Sequence, residues 1–282
     1  MLNVDQFKNA AHLLTHARLS SMPLDLAEDL TPSTESEAYA LQAEVSRQLG
    51  NSRLGLPVGH KIGCTTPVMQ AFLAIHSPCA GDIFAATVLQ NNAQLSRARY
   101  RRFGVECEIV VELSRDIPPD AAPFTRETIS SAVGAAIAGI EIVDDRYEDY
   151  RSLGTPTLIA DNFFNAGCVL GDPVREWGRL DLATLEGRTL VNGKEVGCGN
   201  GAMVLGHPLE ALVWLANSRA SRRLGLRRGD FVFLGSLVET KWLNAGDSMR
   251  IEIEALGALD ITVLPSESSV ATAPFERLTS AG

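Results

Sequence analysis

Residues 104–113 read GVECEIVVEL and place three carboxylates along a short apolar run that contains no lysine or arginine. Side chains alternate across a β-strand, so residues two apart lie on the same face. One face then carries Val105, Cys107, Ile109 and Val111, and the opposite face carries Glu106, Glu108, Val110 and Glu112. Two interpretations remain open at this point. The run is either an antiparallel strand with one apolar and one solvated face, or a strand whose first two carboxylates hold a divalent cation.

The composition is typical of a globular protein with a full core. The 282 residues are 45% hydrophobic and 21% charged, which suffices for one large domain or a main domain with an appendage. A net charge of −9 without a long basic run argues against a nucleic-acid or anionic-membrane partner. No apolar run has the length of a membrane span, the first residues lack a signal-peptide pattern, and five scattered cysteines form no CxxC pair. We therefore expect a cytoplasmic protein with reduced thiols.

Two N-terminal helices are predicted from apolar residues at helical spacing, over about 4–17 and 35–49. Thr34 can cap the second helix, and Glu37, three residues later, can reach back to the cap. We predict that residues 1–55 form a small helical layer.

From residue 56 onward, short β-branched runs bounded by glycine, proline or asparagine predict a series of strands: GHKIGC, RRFGVECEIVVEL, AGIEIVDD, AGCVLG, RTLVNGKEVG, DFVFLGS, MRIEIEALG and LDITVL. Asn192-Gly193 lies between two such runs and predicts a type I′ hairpin. Further helices are predicted over about 125–138 and 208–224. Strands and helices do not alternate strictly, so the fold class is α+β rather than a doubly wound parallel sheet. We predict a β-rich catalytic domain over 56–265, followed by a polar, flexible tail over 266–282.

Two charged residues lie in apolar strand contexts. Glu141 stands between isoleucines, where its charge needs compensation, either by an arginine such as Arg146 or by a cation. Lys61 is either a surface charge or a proton carrier beside a bound anion. The hydroxyls of Thr65 and Thr66 could bind a substrate carboxylate or cap a turn.

Five blocks of the sequence together resemble the fumarylacetoacetate hydrolase superfamily, in the order in which they occur: GHKIGCTTPVMQ, VECEIVVEL, IEIVDDRY, ADNFFNAGCVLG and FLGSLVET. With EAYALQAEV near the N-terminus, the resemblance runs from about residue 35 to 264. It is strongest to the hydratase/decarboxylase branch, which includes 2-hydroxypenta-2,4-dienoate (2-oxopent-4-enoate) hydratases, 2-oxohept-4-ene-dioate hydratases and 4-oxalocrotonate decarboxylases. The implied fold is a β-rich mixed sheet or roll behind the helical layer.

The resemblance also implies a site. Its metal ligands are Glu106, Glu108 and Glu141, which would bind Mg²⁺ or Mn²⁺, and its catalytic residue is Lys61. The candidate substrate-binding residues are Thr65, Thr66, Asp161 and Ser236. Hard oxygen ligands suit these cations.

The activity implied is that of a lyase that hydrates a 2-hydroxydienoate or 2-oxo-enoate from aromatic-compound breakdown. The same site would suit a 4-oxalocrotonate-type decarboxylase, an acylpyruvate-type C–C hydrolase or a catalytically silent partner subunit. The implied partners are the small 2-oxo or 2-hydroxy-dienoic acid and further copies of the chain in a homo-oligomer, or a complex with another enzyme of the pathway.

Departures from the family pattern leave these reactions open. Ala85 and Ala86 stand about where relatives carry aspartates in a YG.LLDDM-like block. Val238 replaces the hydroxyl of a GSFT-like block, and Phe163 and Phe164 replace residues that are frequently small or polar. The sequence therefore predicts the metal site more firmly than it predicts the reaction.

Overall fold

The computed structural model describes residues 1–24, 26–73 and 75–265. Its helices are α1 (Val4–Leu19), α2 (Glu35–Gly50), α3 (Pro67–Phe72), α4 (Arg126–Ser130), α5 (Thr155–Ala160) and α6 (Pro208–Ser221). Its strands are β1 (Pro57–Gly63), β2 (Cys79–Phe84), β3 (Val88–Gln90), β4 (Ala93–Ser96), β5 (Phe103–Leu113), β6 (Val133–Asp144), β7 (Asn165–Leu170), β8 (Glu186–Val191), β9 (Lys194–Asn200), β10 (Phe231–Trp242), β11 (Ser248–Ile253) and β12 (Gly257–Leu264). No helix in these ranges is both long and apolar enough to cross a membrane.

The strands form two mixed sheets, which confirms the predicted α+β class. The larger sheet has the order β2-β1-β10-β5-β6-β7-β3 and the smaller has the order β4-β12-β11-β8-β9. The pairs β1–β10, β3–β7 and β4–β12 are parallel, and the other pairs are antiparallel. At the predicted hairpin between β8 and β9, Asn192 and Gly193 have φ angles of 51° and 76°, as a type I′ turn requires.

The seven-stranded sheet curls into a roll, because its end strands approach each other. The end strands β2 and β3 are joined by only the three-residue turn Ala85–Thr87, which holds the two edges of the sheet close together. The inner face of the roll is apolar at one end, where a separate cluster of side chains packs: Val58, Ile83, Val88, Val110, Ile137, Cys168, Leu170, Phe231 and Phe233. The outer face belongs to the main core, which also includes the apolar faces of α1 and α2.

The helical layer is tied to the sheet by buried polar contacts. In α2, the Gln42 side-chain amide donates to the Ala80 carbonyl at 2.8 Å and to the Ile159 carbonyl at 2.7 Å. Thr34 caps α2 as predicted, accepting from the Glu37 amide at 3.2 Å. The Glu37 carboxylate instead accepts from the Ser33 amide, one residue before the cap. The division at residue 55 stays a prediction, and the predicted tail over 266–282 lies outside the described residues.

The predicted helix over 125–138 is wrong. Only Arg126–Ser130 is helical, and β6 begins at Val133. The run of glycine and alanine in GAAIAG fits a helix by local propensity, but it also fits a strand that is covered on both faces. At Gly139 an added Cβ would lie 2.7 Å from Cε1 of Phe233, so large side chains are excluded there. Packing in the roll decides the structure of this segment. The strands β2, β3 and β4 were not among the predicted elements.

We predict that Gly139→Ala lowers the free energy of unfolding by about 1–3 kcal/mol, because overpacking a filled interior forces neighbouring side chains to shift. Gly178→Ala is the matched control, since no atom lies within 4 Å of the added methyl. Urea unfolding of both variants measures the effect. Equal stability of the two variants would contradict the tight packing described for the roll.

Candidate metal and substrate site

Three carboxylates converge at the end of the roll beyond its apolar cluster. Glu106 and Glu108 project from the inner face of β5, and Glu141 comes from β6, where the antiparallel register places it opposite Glu106. One oxygen from each carboxylate lies within 4.8 Å of the others. This arrangement accounts for the pattern in residues 104–113, because the two-residue spacing puts Glu106 and Glu108 on one face. The family resemblance leaves Glu112 outside the metal site and predicts a solvated residue, but Glu112 is largely buried at the opposite end of β5, with 18% of its side chain exposed.

The carboxylates are buried with part of their hydrogen-bonding capacity unused. Glu108 and Glu141 are both 0% exposed. Oε2 of Glu108 accepts from the Gly235 amide at 2.8 Å, and Oε1 of Glu141 accepts from the Asn165 side-chain amide at 3.0 Å. The second oxygen of each has no hydrogen-bond partner among the described residues. A buried carboxylate oxygen without a partner is costly, so the cluster has the properties of a cation site.

The electrostatics support the same conclusion. Burial raises the pKa of Glu108 well above its usual range, and the charges of Glu141 and Glu106 raise it further. Burial likewise raises the pKa of Glu141 to about 7, although Lys61 opposes the shift. Glu108 and Glu141 are therefore harder to ionise than ordinary glutamates. A hard divalent cation with oxygen ligands, such as Mg²⁺ or Mn²⁺, relieves both the burial cost and the repulsion.

Lys61 is a buried partner of this cluster, so the surface-charge interpretation is wrong. Its side chain is 3% exposed and its Nζ lies 3.1 Å from Oε1 of Glu141. Burial works against the charged form, but the attraction of Glu141, Glu106 and Glu108 outweighs it and raises the pKa of Lys61 above its usual value. Arg146, the other candidate partner of Glu141, binds Asp161 instead.

The predicted substrate-binding residues separate into two groups. Thr65 is buried against Gly235, whose φ of 120° and lack of a side chain allow this approach and aim its amide at Glu108. Ser236 lies opposite Glu108 in the β5–β10 register, and its hydroxyl donates to the Val238 carbonyl at 2.5 Å. Thr65 and Ser236 thus lie beside the carboxylate cluster, and their contact with a substrate stays a prediction.

Thr66 and Asp161 have other contacts. The Thr66 hydroxyl caps α3 by accepting from the Met69 amide at 3.3 Å, which is the turn-capping use considered above. The Asp161 carboxylate is 1% exposed and is held by Arg146 at 2.6 Å and by the Tyr147 hydroxyl at 2.6 Å. These contacts favour a structural role for Asp161, and the proposed contact of either residue with substrate stays untested.

Two polar contacts and one strained turn at this site were not predicted from the sequence. The Thr240 hydroxyl donates to Oε1 of Glu106, and Asn165 donates to Glu141. Asn162, Phe163 and Phe164 have φ angles of 62°, 46° and 64°, and such left-handed residues cost about 1–3 kcal/mol each. This turn places the Phe163 ring centroid 5.1 Å from Nζ of Lys61. The polar side chain of Asn165 within the ADNFFNAG block was the sequence signal for its contact with Glu141. No sequence pattern predicts two consecutive phenylalanines in the left-handed conformation.

The departures at residues 85 and 86 lie in a single 3₁₀ turn, Ala85–Thr87, which follows β2 directly. The amides of Ala85 and Ala86 donate to the Leu56 and Leu54 carbonyls at 3.1 and 3.0 Å. Their backbone is therefore ordered by local hydrogen bonds, and their side chains provide methyl groups at about the positions where the family resemblance predicts carboxylates.

Comparison with known proteins places the chain in a family. A family model described as "Fumarylacetoacetate (FAA) hydrolase C-terminal" matches residues 79–264. The chain belongs to the fumarylacetoacetate hydrolase family. Within the family, it is 30% identical over 263 residues to the 2-keto-4-pentenoate hydratase of Burkholderia vietnamiensis (strain G4 / LMG 22486), covering 93% of this chain and 99% of that protein. It is 31% identical over 240 residues to the 2-hydroxyhexa-2,4-dienoate hydratase of Comamonas testosteroni, covering 84% and 89%.

A solved structure confirms the fold. The 4-oxalocrotonate decarboxylase from Pseudomonas putida G7, complexed with magnesium and adipate, superposes with a TM-score of 0.87. The superposition covers 94% of this chain and 99% of that chain at 24% sequence identity. The predicted fumarylacetoacetate-hydrolase-like roll with its helical layer is thereby confirmed.

Substitution of a residue that only orients a metal ligand weakens metal binding by up to about a hundredfold. Glu108 is a proposed direct ligand, so we predict that Glu108→Gln weakens Mn²⁺ binding at least about a hundredfold. The metal-free variant is expected to be more stable than the metal-free wild type, because a buried carboxylate without a full set of partners has been neutralised. Calorimetric Mn²⁺ titration and thermal unfolding in a chelator provide the two measurements.

Glu112→Gln is the matched control for this variant, because Glu112 is on the same strand and the same face but outside the cluster, 4.0 Å from Arg175. It should bind Mn²⁺ like the wild type. Unchanged Mn²⁺ binding in Glu108→Gln would remove Glu108 from the ligand set. Loss of binding in Glu112→Gln as well would show that the effect is not specific to the cluster.

Proposed function

We propose that this chain is a divalent-metal-dependent hydro-lyase that adds water to a short 2-hydroxydienoate, or its 2-oxo-enoate tautomer, in the breakdown of aromatic compounds. The observation that carries the proposal is the buried cluster of Glu106, Glu108 and Glu141 with Lys61 against it. The two relatives named as hydratases support the choice of reaction, because each matches most of this chain.

The three glutamates would hold the metal, and the donor set of carboxylate oxygens favours Mg²⁺ or Mn²⁺ over softer ions. When bound, such an ion acts as a Lewis acid that polarises the keto group of a 2-oxo acid. The residues around the cluster keep the ligands in place. Thr240 donates to Glu106, the Gly235 amide donates to Glu108, and Asn165 donates to Glu141.

Lys61 is the proposed proton carrier. Its raised pKa favours the ammonium form, which can donate a hydrogen bond or a proton as negative charge develops on a substrate oxygen or carbon. The Nζ is held by Glu141 and covered by the ring of Phe163. Both contacts hold Nζ in one position, so the proton that the hydration needs is available at that atom.

The hydroxyls of Thr65, Thr66 and Ser236 are the proposed contacts for the substrate carboxylate. Thr65 and Ser236 are the better placed of the three. Thr65 packs against Gly235 in β10, and Ser236 in β10 lies opposite Glu108 in β5. In the hydration, the water oxygen bonds to the distal carbon of the conjugated double bond, and the carbon next to the keto group takes up a proton. Positioning the substrate head group therefore determines which carbon faces the water.

The methyl groups of Ala85 and Ala86 favour one second candidate, a 4-oxalocrotonate-type decarboxylase. Loss of CO₂ from a 2-oxo-enoate diacid needs a stabilised enolate but no group that orients a water molecule. The same metal cluster and Lys61 would serve that reaction.

We also propose that the protein works as a homo-oligomer in the cytoplasm, alone or in complex with another enzyme of the pathway.

An assay of short 2-oxo-enoic and 2-hydroxydienoic acids, with Mg²⁺ or Mn²⁺ and product masses determined, distinguishes these reactions. We expect products that have gained one water and no release of CO₂. Release of CO₂ would identify the decarboxylase, and two acids from one substrate would identify a C–C hydrolase. A metal-loaded chain that turns over nothing in the panel would identify a silent partner subunit.

We predict that Lys61→Met lowers kcat at least about a hundredfold, the lower range for loss of a general acid–base group, while Mn²⁺ binding is retained. Lys194→Met is the control, because Lys194 is an exposed residue at the start of β9. Steady-state kinetics and Mn²⁺ titration of both variants check the prediction. Near-normal kcat in Lys61→Met would exclude Lys61 from the reaction.

A further inference from the structure

A small cavity rich in arginine lies behind the metal cluster. Its volume is about 110 Å³, and its lining includes four arginines and one carboxylate: Arg18, Arg53, Arg99, Arg146 and Asp144. We call it the arginine cavity. None of the three metal-binding glutamates lines it, and neither does Lys61. The two sites are separated by Asn165, whose side chain donates to Glu141 while its backbone carbonyl accepts from Arg18.

Arg18 forms the buried part of this cavity. Its side chain is 10% exposed. Its Nη1 donates to the Asn165 carbonyl and its Nη2 donates to the Asp161 carbonyl, both at 2.5 Å. Its Nε has no acceptor among the described residues. Burial lowers the pKa of Arg18, and the nearby charge of Arg146 adds to that effect, although Asp161 opposes it. The Nε atom is itself closed to solvent, so Arg18 contributes positive charge to the lining and not a free donor.

The carboxylates nearby do not balance the positive charge. Asp161 is shared between Arg146, at 2.5 Å, and Arg18, at 3.6 Å. Asp144, the single carboxylate in the lining, already accepts from the Arg102 amide at 2.9 Å. The exposed Arg53 and Arg99 form no ion pair with any carboxylate in the described part of the chain. Asp144 and Asp161 offset the charges of Arg18 and Arg146, so the excess positive charge of the cavity lies with Arg53 and Arg99 at its mouth.

We propose that the arginine cavity binds a compact oxyanion, either a small carboxylate or a phosphate. Guanidinium groups present several N–H donors in a plane, which matches both kinds of anion. The volume limits the ligand, because sites for drug-sized molecules occupy about 300–1,000 Å³. An oxyanion in the cavity would accept from the exposed guanidinium groups of Arg53 and Arg99 and neutralise their excess charge. The site is distinct from the metal centre and does not depend on the reaction proposed above.

The test uses calorimetric titration of inorganic phosphate and, separately, malonate into the full chain at constant ionic strength. We expect at least one of the two anions to bind. Arg99→Gln should weaken that binding at least about tenfold, as expected for loss of a charged hydrogen-bond donor. Arg99 is exposed at the mouth of the cavity, so this substitution leaves the fold and the metal centre intact. Binding of phosphate alone or of malonate alone identifies which anion chemistry the cavity prefers.

Two further variants make the result specific to this cavity. Arg179→Gln is the matched control, because Arg179 is an exposed arginine paired with Glu176 at 2.9 Å outside the cavity, and it should bind the anion like the wild type. Glu108→Gln without added metal should also retain binding, since the anion does not use the metal. Absence of binding by both anions, equal binding by Arg99→Gln, or loss of binding in metal-free Glu108→Gln would each overturn the proposal.

Discussion

The burial of negative charge at one end of the roll is the constraint on which the site depends. Glu108 and Glu141 are excluded from solvent, and each keeps one carboxylate oxygen without a partner among the described residues. If all the groups are ionised, the three glutamates and Lys61 leave two negative charges, which equals the charge of one divalent cation. A divalent cation therefore neutralises the net negative charge that these buried side chains carry.

Other features of the fold follow from keeping these charges together. The antiparallel register of β5 and β6 brings Glu141 opposite Glu106, and Gly139 opposite Glu108. Glycine at 139 makes room for Phe233 across the inner face, and glycine at 235 lets its amide reach Glu108 past Thr65. The left-handed turn through Phe163 places an aromatic ring against Lys61. Strained backbone and glycines thus lie beside the carboxylates, as is common at functional sites.

The sequence predicted the parts of the site that depend on local periodicity. Strand alternation alone places Glu106 and Glu108 on one face, and the hairpin at Asn192-Gly193 follows from turn chemistry. The contribution of Glu141 from a neighbouring strand needed the family resemblance, because register between distant segments is not visible in one sequence. The helix predicted over 125–138 failed for the same reason, since small residues that favour a helix are used here to admit Phe233. The roles of Asn165 and Thr240 depend on contacts across strands and were not predictable from spacing.

The most direct measurement of the central claim is anomalous diffraction at the manganese edge from a crystal of the full chain grown with Mn²⁺. The account predicts one strong anomalous peak enclosed by the carboxylate oxygens of Glu106, Glu108 and Glu141, at distances typical of a metal–oxygen bond. A well-ordered structure with no peak there, or with Mn²⁺ bound by a different set of residues, would contradict the account.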